Sequence, residues 1–311
     1  MKLYRSEPGF AERLIASATA SITLASAVPP HLKGLSRLRE LGKIRLRALL
    51  HPRQAPGWLH LLNSHPAFSE YVRNCPRFLY KVFRPYNSLA LSPAERLEAI
   101  RDHYLFIFRR GLGQTVARAA VGPVVLAQAE GKSGLPYEIH LRTVNMFDRE
   151  GELALQLAQD GKVIYTVAFT IALRAGIPAV SIGCIQGGKT DDAREAIRVA
   201  TRDLHGLRPK QLMACLVRTL GHDYGCDRMV MVSNRNRVIY KAIRHGRVVA
   251  DYDSLWEEMG GRLRPDGDFE LPCCPVYAPD LESIPSKKRS EARKRHELVS
   301  RLADEVCAAL R

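Results

Sequence analysis

The spacing of hydrophobic positions changes near residue 120 of the chain. Between Gly57 and Arg110, apolar residues recur every three to four positions, which predicts amphipathic helices. The last run there consists of Leu97, Ile100, Tyr104 and Ile107. Ser92, with Pro93 and Glu95 after it, marks the start of the helix that carries this run.

From Val121 onward the period becomes two and β-branched residues accumulate, which predicts strands. The predicted strands are residues 124–126, 137–144, 153–157, 163–171 and 179–185. Asp160-Gly161 lies between the third and fourth strands and is a strong signal for a two-residue hairpin. We therefore expect a consecutive antiparallel meander.

The pattern after the meander alternates helix and strand. It predicts helices 191–205 and 209–224, a strand 229–232, a short helix 236–243, loops after Met259 and a basic amphipathic helix 286–311. The fold class is mixed α/β (α+β), with a mainly antiparallel sheet and flanking helices. We divide the chain into a basic helical region (1–118), an α/β domain (119–285) and a C-terminal helical arm (286–311).

The charge of the chain is concentrated at its two ends. The net charge is +15 overall, +12 over residues 1–118, +4 over residues 286–311 and −1 between them. Basic ends predict an acidic partner, and the neutral centre is expected to hold the chemistry. Solvated helix faces that only confer solubility are the alternative.

Composition and motifs exclude several classes of protein. Seven irregularly spaced cysteines favour a reducing compartment, and no apolar run approaches the roughly 20 residues of a membrane span. The stretch 14–28 ends like a signal-peptide site, but it follows Glu12 and Arg13, so we expect a cytoplasmic protein. There is no pair of cysteines spaced for a metal, so we expect no metal site. There is also no serine-hydrolase elbow, so that class of enzyme lacks support.

The first candidate site is a binding site for an anionic donor before the helix that starts at Pro209. Glycines that let the backbone approach a ligand, exposed amides at the helix start and cations together suit a phosphate. The candidate donor-binding residues are Gln186, Gly187, Gly188, His205, Gly206, Arg208 and Lys210. An ordinary helix cap with a turn explains the same residues equally well.

The stretch Gly183 to Thr190 also matches the phosphate-loop pattern Gly-x-x-x-x-Gly-Lys-Thr between a strand and a helix. The preceding strands, however, read as antiparallel hairpins. We therefore keep a nucleotide-hydrolysing loop only as an alternative.

The second candidate site follows the strand 229–232. Asn234 and Tyr240 are candidate catalytic residues there, and a tyrosine hydroxyl can give a proton to a leaving thiolate or alkoxide. Asp253 is the third, as a general base or a holder of an amine acceptor, while Ser233, Asn236, Asp251 and Trp256 are expected to line the pocket. The alternatives are an Asn-rich turn, a packed tyrosine and a helix capped by Asp253.

A third feature interleaves aromatic and basic residues between Arg77 and Tyr86. At this spacing we expect the aromatic residues to face a core and the cations to face solvent. Arg77, Lys81 and Arg84 are therefore the predicted docking residues for an acidic partner.

Several motifs between Leu153 and Gly261 resemble the VirK/YbjX family of bacterial proteins. They are Ile-Gly-Cys-Ile-Gln-Gly, His-Gly-Leu-Arg-Pro-Lys, Val-Ser-Asn-x-Asn and Asp-Tyr-Asp-Ser-Leu-Trp-x-x-Met-Gly-Gly, in this order. The resemblance covers most of residues 35–280. It implies an association with envelope stress and virulence and leaves the biochemical activity open.

The order of elements is similar to that of the GNAT superfamily of N-acyltransferases. That resemblance implies a donor pyrophosphate at Gly206, Arg208 and Lys210, and Tyr240 as the acid. The inserted helix 191–204 and the missing Arg/Gln-x-x-Gly-x-Gly/Ala loop depart from the superfamily and make coenzyme A doubtful.

Two hypotheses follow from these features. The leading one is an acyltransferase-like enzyme that binds no cofactor tightly and takes its acyl or aminoacyl group from acyl-CoA, an acyl-carrier protein or an aminoacyl-tRNA. The competing one is a non-catalytic protein that binds RNA or an anionic membrane face, with peripheral contact at the inner membrane.

Overall fold

The computed structural model describes residues 21–143, 148–239 and 250–311. Its amino-terminal part is helical, as the three-to-four-residue spacing predicts. The elements are α1 (Gly34–Leu50), α2 (Gln54–Leu62), α3 (Ala67–Asn74), a 3-10 helix (Pro76–Phe83), α4 (Pro93–Arg109) and α5 (Gly113–Val121).

Helix α4 begins where the sequence predicts. The Ser92 hydroxyl accepts a hydrogen bond from the Glu95 amide at 3.3 Å, and the Glu95 carboxylate accepts one from the Ser92 amide at 2.8 Å. This reciprocal pair satisfies two amides that the first helical turn leaves free. The helix packs its buried side against the sheet.

The sheet contains the predicted meander and confirms the fold class. Its strands are β1 (Val124–Glu130), β2 (Pro136–Thr143), β3 (Leu153–Gln159), β4 (Lys162–Arg174), β5 (Ile177–Gly187), β6 (Arg228–Met231), β7 (Arg262–Leu263) and β8 (Phe269–Pro272). They lie in the order β1-β2-β3-β4-β5-β6-β8-β7, with β5 and β6 parallel and every other neighbouring pair antiparallel. Asp160 and Gly161 both have positive φ, 47° and 71°, as a tight hairpin requires.

The remaining helices cover the sheet. They are α6 (Asp191–Asp203), α7 (Pro209–Asp223), α8 (Asp253–Glu258) and α9 (Ser286–Ala309). Helix α9 is not a free arm, because it packs on α7 and β1 and buries Leu298, Leu302 and Val306. One apolar core runs from the amino-terminal helices through the sheet to α9.

The predicted docking residue Lys81 lies inside this core. Its ammonium group is 2.8 Å from the carboxylate of Glu152, and the two side chains are 1% and 0% exposed. Tyr104 donates a hydrogen bond to the second oxygen of the same carboxylate at 2.7 Å. The prediction that Lys81 docks a partner is therefore wrong, because the charge faces the one acid that compensates it.

The other two predicted docking residues lie nearer the surface. Arg77 is exposed, and Arg84 is half-buried with its guanidinium 2.6 Å from Asp148. Periodicity assigned all three cations to solvent. It failed at Lys81 because a 3-10 segment does not keep the spacing of an α-helix.

Candidate functional site

The candidate site lies at the edge of the sheet where the parallel strands β5 and β6 end. Parallel strands present their carboxyl ends at the same edge, a common position for ligand sites in α/β sheets. Gln186 and Gly187 end β5, Gly188 follows it, and the segment 233–236 follows β6, so the fold brings these parts of the two predicted sites to one edge.

Beyond Ile182 the two strands separate, and α8 fills the gap between them. The last backbone bond joins the Val232 amide to the Ile182 carbonyl at 3.0 Å. Past this point the Ile185 amide donates to the Tyr252 hydroxyl at 2.9 Å, and the Trp256 indole donates to the Val232 carbonyl at 3.0 Å. Trp256 is fully buried, so it anchors α8 and does not line a pocket as predicted.

Tyr252 belongs to a buried cluster that sequence reasoning missed. Its hydroxyl lies 3.5 Å from the Cys184 sulfur, and the Arg237 guanidinium lies 3.8 Å from the centre of its ring. Burial raises the pKa values of the Tyr252 hydroxyl and the Cys184 thiol, so both groups hold their protons. Only the motif Asp-Tyr-Asp pointed to this tyrosine in the sequence.

Three predicted site residues, Asn234, Asp251 and Asp253, meet at the start of α8. The Asn234 side chain donates to Asp251 at 2.7 Å and accepts from the Tyr252 amide at 2.9 Å. The backbone amide of Asn234 donates to the Asp253 carboxylate at 2.8 Å. Asp253 therefore bonds the end of β6 and does not cap α8.

Asp251 is the carboxylate of this group that solvent reaches. Hydrogen bonds from the Ser254 hydroxyl, which has the larger effect, and from the Asn234 side chain lower the pKa of Asp251. The group is thus ionised at neutral pH, which suits the binding of an ammonium group better than the removal of a proton.

Ser233 and Asn236 both bond Asp268, the residue before β8. The Ser233 amide donates to Asp268 at 3.2 Å, and the Asn236 side chain donates to the same carboxylate at 2.9 Å. Ser233 is also buried. Both residues therefore fix the loop before β8, and their place in a pocket stays a prediction.

A cleft of about 560 Å³ lies between α6 and the start of α7. Its lining residues are Tyr165, Ile197, Arg198, Thr201, Arg202, Arg208, Pro209 and Lys210. The lining is mostly apolar with four cations among its members, so the cleft suits a molecule with an apolar part and a negatively charged group. Arg208 and Lys210 line this cleft, and their binding of an anionic donor stays a prediction.

Sequence reasoning missed the cleft residues contributed by α6. Ile197 and Thr201 are four residues apart, as are Arg198 and Arg202, so all four lie on neighbouring positions of one helix surface. The inserted helix was treated as a departure from the acyltransferase pattern. In the structure it forms one wall of the cleft.

The glycines at the end of β5 pack against side chains. A Cβ on Gly187 would clash with the Tyr165 ring and Ile197, and one on Gly188 would clash with Ala193. Gln186 pairs with Thr166 in the β4–β5 ladder. These residues allow the floor of the cleft to close tightly, which differs from the predicted direct approach to a ligand.

His205 and Gly206 face away from the cleft. Both have positive φ, 55° and 73°, and the atom nearest to a Cβ on Gly206 would be a carboxylate oxygen of Glu291 in α9. The described contacts therefore place this turn against α9 and do not support its prediction as donor-binding. Its glycine serves the turn between α6 and α7.

Glu258 already neutralises part of the predicted anion site. Its carboxylate lies 2.8 Å from Arg208 and 3.8 Å from Lys210, and the hydrogen bond from Arg208 lowers its pKa. Glu258 ends α8 and Asp253 begins it, so the helix separates the cleft from the Asn234 group by about 8 Å at 1.5 Å per residue.

The phosphate-loop alternative does not fit the structure. Gly183 lies inside β5, which continues as a strand to Gly187, so only three residues remain before α6. Thr190 caps α6 by accepting a bond from the Ala193 amide at 3.2 Å. An extended strand cannot wrap its amides around a phosphate.

Tyr240, the predicted acid, lies outside the described residues, as does the second half of the predicted helix 236–243. Its first half is a 3-10 turn (Asn234–Asn236) followed by non-helical backbone. Within the described ranges no cluster of three or more His, Cys, Asp or Glu residues is placed to hold a metal ion. None of the helices described here is long and apolar enough to cross a bilayer.

Comparison with known proteins identifies relatives over most of the chain. A family model described as "Protein of unknown function (DUF535)" matches residues 33–308. The uncharacterized protein YbjX of Escherichia coli K12 is 29% identical over 278 residues, 86% of this chain and 83% of YbjX. The membrane protein LapB of Mannheimia haemolytica is 26% identical over 182 residues, 57% of this chain and 76% of LapB.

Among solved structures, a cAMP-binding acyltransferase from Mycobacterium smegmatis matches with a TM-score of 0.31 and 11% identity. The match covers 68% of this chain and 62% of that protein.

Proposed function

We propose a function from the site itself, because the family to which the chain belongs, DUF535, has no established activity. Membership of this family confirms the resemblance to VirK/YbjX proteins. We propose that the protein is an acyltransferase-like enzyme that moves an acyl or aminoacyl group from an activated donor to an amine or hydroxyl acceptor.

The observation that carries this proposal is the cleft between α6 and α7. Tyr165 and Ile197 offer apolar surface to an acyl chain, while Arg208 and Lys210 offer cations to a phosphate. Acyl-CoA, an acyl-carrier protein and an aminoacyl-tRNA all combine an activated acyl group with phosphate. All three remain donor classes for the test.

The carboxylates at the other end of α8 support a place for the acceptor there. The ionised Asp251 would hold an ammonium group of the acceptor beside Asn234 and Asp253. An amine held as an ammonium ion first gives one proton to solvent. In the reaction, the neutral acceptor nitrogen, or a hydroxyl oxygen, then forms a bond to the acyl carbon, the donor's thioester or ester bond breaks, and one proton passes from acceptor to leaving group. Tyr240 remains our prediction for the residue that delivers that proton.

The donor test compares binding of an acyl-CoA, an acyl-carrier protein and an aminoacyl-tRNA to the parent and to Arg208→Gln with Lys210→Gln. We expect the double variant to bind the true donor about tenfold more weakly or worse, because two charge-assisted contacts are lost. Glu258→Gln should strengthen the same binding severalfold, since it removes the carboxylate that competes for Arg208.

Lys287→Gln with Lys288→Gln is the matched control, because it removes the same charge from exposed positions of α9. Equal weakening by both double variants would mean that net charge alone attracts the donor, and the proposal would fail. Binding of none of the three donors by the parent would also reject it.

The second candidate function is non-catalytic binding of RNA or an anionic membrane face, and helix α1 favours it. The helix combines five basic residues with exposed leucines. This function predicts binding that falls steeply with salt and is indifferent to Tyr240→Phe. A cytoplasmic protein with peripheral contact at the inner membrane fits both candidate functions.

A further inference from the structure

Helix α1 has apolar residues on two opposite sides. One side packs on the protein and contains Leu41, Ile44 and Ala48. The other side faces solvent. Its leucines are Leu35 (85% exposed), Leu38 (64%), Leu46 (58%), Leu49 (75%) and Leu50 (68%).

The five exposed leucines lie on one side of α1, which we call the leucine face. At 100° per residue they fall within an arc of about 120°, centred opposite to Ile44, with Arg39 and Gly42 in the same arc between Leu38 and Leu46. Single exposed leucines are common on soluble proteins, but five on one side of a helix indicate an interaction site.

Basic residues lie on and beside the leucine face. Lys43 and Arg45 are exposed on its two flanks, and Arg39 is exposed within its arc. Helix α1 carries five basic residues against one acid, Glu40, which pairs with Lys43. An apolar helix face edged by cations is the pattern of a helix that lies in the headgroup region of a membrane.

A basic cavity of about 400 Å³ adjoins the same helix. Its lining residues are Ala27, Pro29, Leu32, Glu40, Lys43, Arg47, Arg77, Tyr80 and Arg84. Lys43 and Arg47 lie on the flank of α1 between the leucine face and the buried side, so the cavity opens beside the leucines. Four cations and one acid in its wall suit a phosphate group.

We propose that α1 is a membrane-docking helix: its leucine face enters the surface of an anionic bilayer while the cavity beside it takes the phosphate of a lipid headgroup. The leucines select this partner over RNA, because RNA would satisfy the cations and leave five leucines in water. The cations in turn select an anionic over a neutral bilayer.

This docking site deepens the second candidate function and does not depend on acyl transfer. The residues concerned lie on α1 and the segment 76–84, whereas the donor test changes Arg208, Lys210 and Glu258. Failure of either experiment therefore leaves the other informative.

The test is sedimentation of the full chain with vesicles of phosphatidylcholine alone or mixed with phosphatidylglycerol. We expect the parent to bind the mixed vesicles. Leu46→Glu with Leu49→Glu should lower the partition coefficient at least tenfold, because each charge opposes insertion of the leucine face. Arg47→Gln with Arg77→Gln should lower it about fivefold for each charge removed.

The matched control is Val121→Glu with Leu263→Glu, which adds the same charge at two exposed apolar positions outside α1. We expect this control to bind the mixed vesicles like the parent. Weakening equal to that of Leu46→Glu with Leu49→Glu would mean that charge alone repels the bilayer and would overturn the proposal. Tryptophan emission checks that each variant is folded.

Two other occupants of the leucine face give distinct results. Sedimentation velocity that shows a dimer, converted to monomer by Leu46→Glu with Leu49→Glu and without vesicle binding, would assign the face to a second copy of the chain. Vesicle binding that ignores phosphatidylglycerol content, or phosphate binding to the cavity with no vesicle binding, would likewise reject the docking site.

Discussion

Replacing Lys81 with methionine tests whether the buried ion pair holds the helical region on the sheet. Lys81 belongs to the 3-10 segment Pro76–Phe83, and Glu152 directly precedes β3. Methionine keeps most of the apolar stem of lysine and removes its charge. The carboxylate of Glu152 then keeps only the hydrogen bond from Tyr104.

The size of the effect follows from the geometry. At the observed separation of 2.8 Å, the attraction is about 6 kcal/mol with an effective dielectric constant of about 20. The cost of removing both charges from water offsets much of this attraction, but removing one partner leaves the other buried without compensation. We therefore expect Lys81→Met to lower the free energy of unfolding by about 3–5 kcal/mol.

The assay is denaturant unfolding followed by the emission of the two tryptophans. Trp58 donates to the Leu79 carbonyl and reports on the helical region, while Trp256 reports on α8 and the sheet edge. Single-tryptophan backgrounds separate the two signals. Glu152→Gln should cost a similar amount, and the double variant should cost clearly less than the sum of both, because neither charge then remains.

Lys132→Met is the control, since Lys132 pairs with Glu291 at 2.9 Å but both side chains are about half-exposed. Its unfolding midpoint should stay at the parent value. Additive effects of Lys81→Met and Glu152→Gln, or a cost for Lys81→Met below about 1 kcal/mol, would show that the two charges are not coupled in a dry core and would refute the reasoning.

Two further predictions concern a buried histidine and a strand glycine. Burial lowers the pKa of His103 from 6.5 to about 4. The contribution of neutral His103 to the free energy of unfolding should therefore be fully present above pH 6.5 and fall by about 3 kcal/mol as the pH drops towards 4. His103→Asn keeps an acceptor for the Ile171 amide and should flatten this slope in unfolding measured from about pH 7 to 4.5. An unchanged slope would assign the loss to other groups. A Cβ at Gly183 would clash with the Glu150 carbonyl, so Gly183→Ala should cost about 1–3 kcal/mol in denaturant unfolding. Gly42→Ala, in the interior of α1 with open space around it, should instead raise stability by about 0.5–1 kcal/mol. Equal stability of both variants would contradict the crowding.

The meander was predictable because each strand carries its own signal. The Asp160-Gly161 turn specifies a hairpin through two consecutive positive φ angles, and the alternation on both sides sets which residues face the core. Helix α4 was likewise predictable from Ser92 and Glu95, since a capping box is a local interaction.

The packing partners of α9 could not be predicted in the same way. Its leucine spacing predicts an amphipathic helix, and the helix is present, but no local signal states what the apolar side contacts. The answer lies in α7 and β1, which are distant in sequence. The Tyr224 hydroxyl, for example, donates to the Leu310 carbonyl at 3.0 Å, a contact that joins residues 86 positions apart.

The site was predictable where residues follow strand ends and unpredictable where helices converge. Asn234, Asp251 and Asp253 meet because they belong to two short segments at the end of β6. Arg198 and Arg202 join Arg208 only because α6 folds back beside α7. The sequence therefore named the residues of the polar group and only the α7 side of the cleft, and their function stays a prediction.

Helix α8 determines how the cleft would respond to a donor. Trp256 bonds the Val232 carbonyl and Tyr252 bonds the Ile185 amide, so the helix is anchored at its middle and its start. A phosphate that reaches Arg208 can displace the Glu258 carboxylate without moving these anchors, because Glu258 ends the helix and is partly exposed. The displaced group carries one negative charge, whereas a terminal phosphate carries nearly two at neutral pH. Under the proposed function, the exchange therefore predicts that a doubly charged phosphate binds better than a singly charged carboxylate, and it would leave the contacts of Asn234 with Asp251 and Asp253 unchanged.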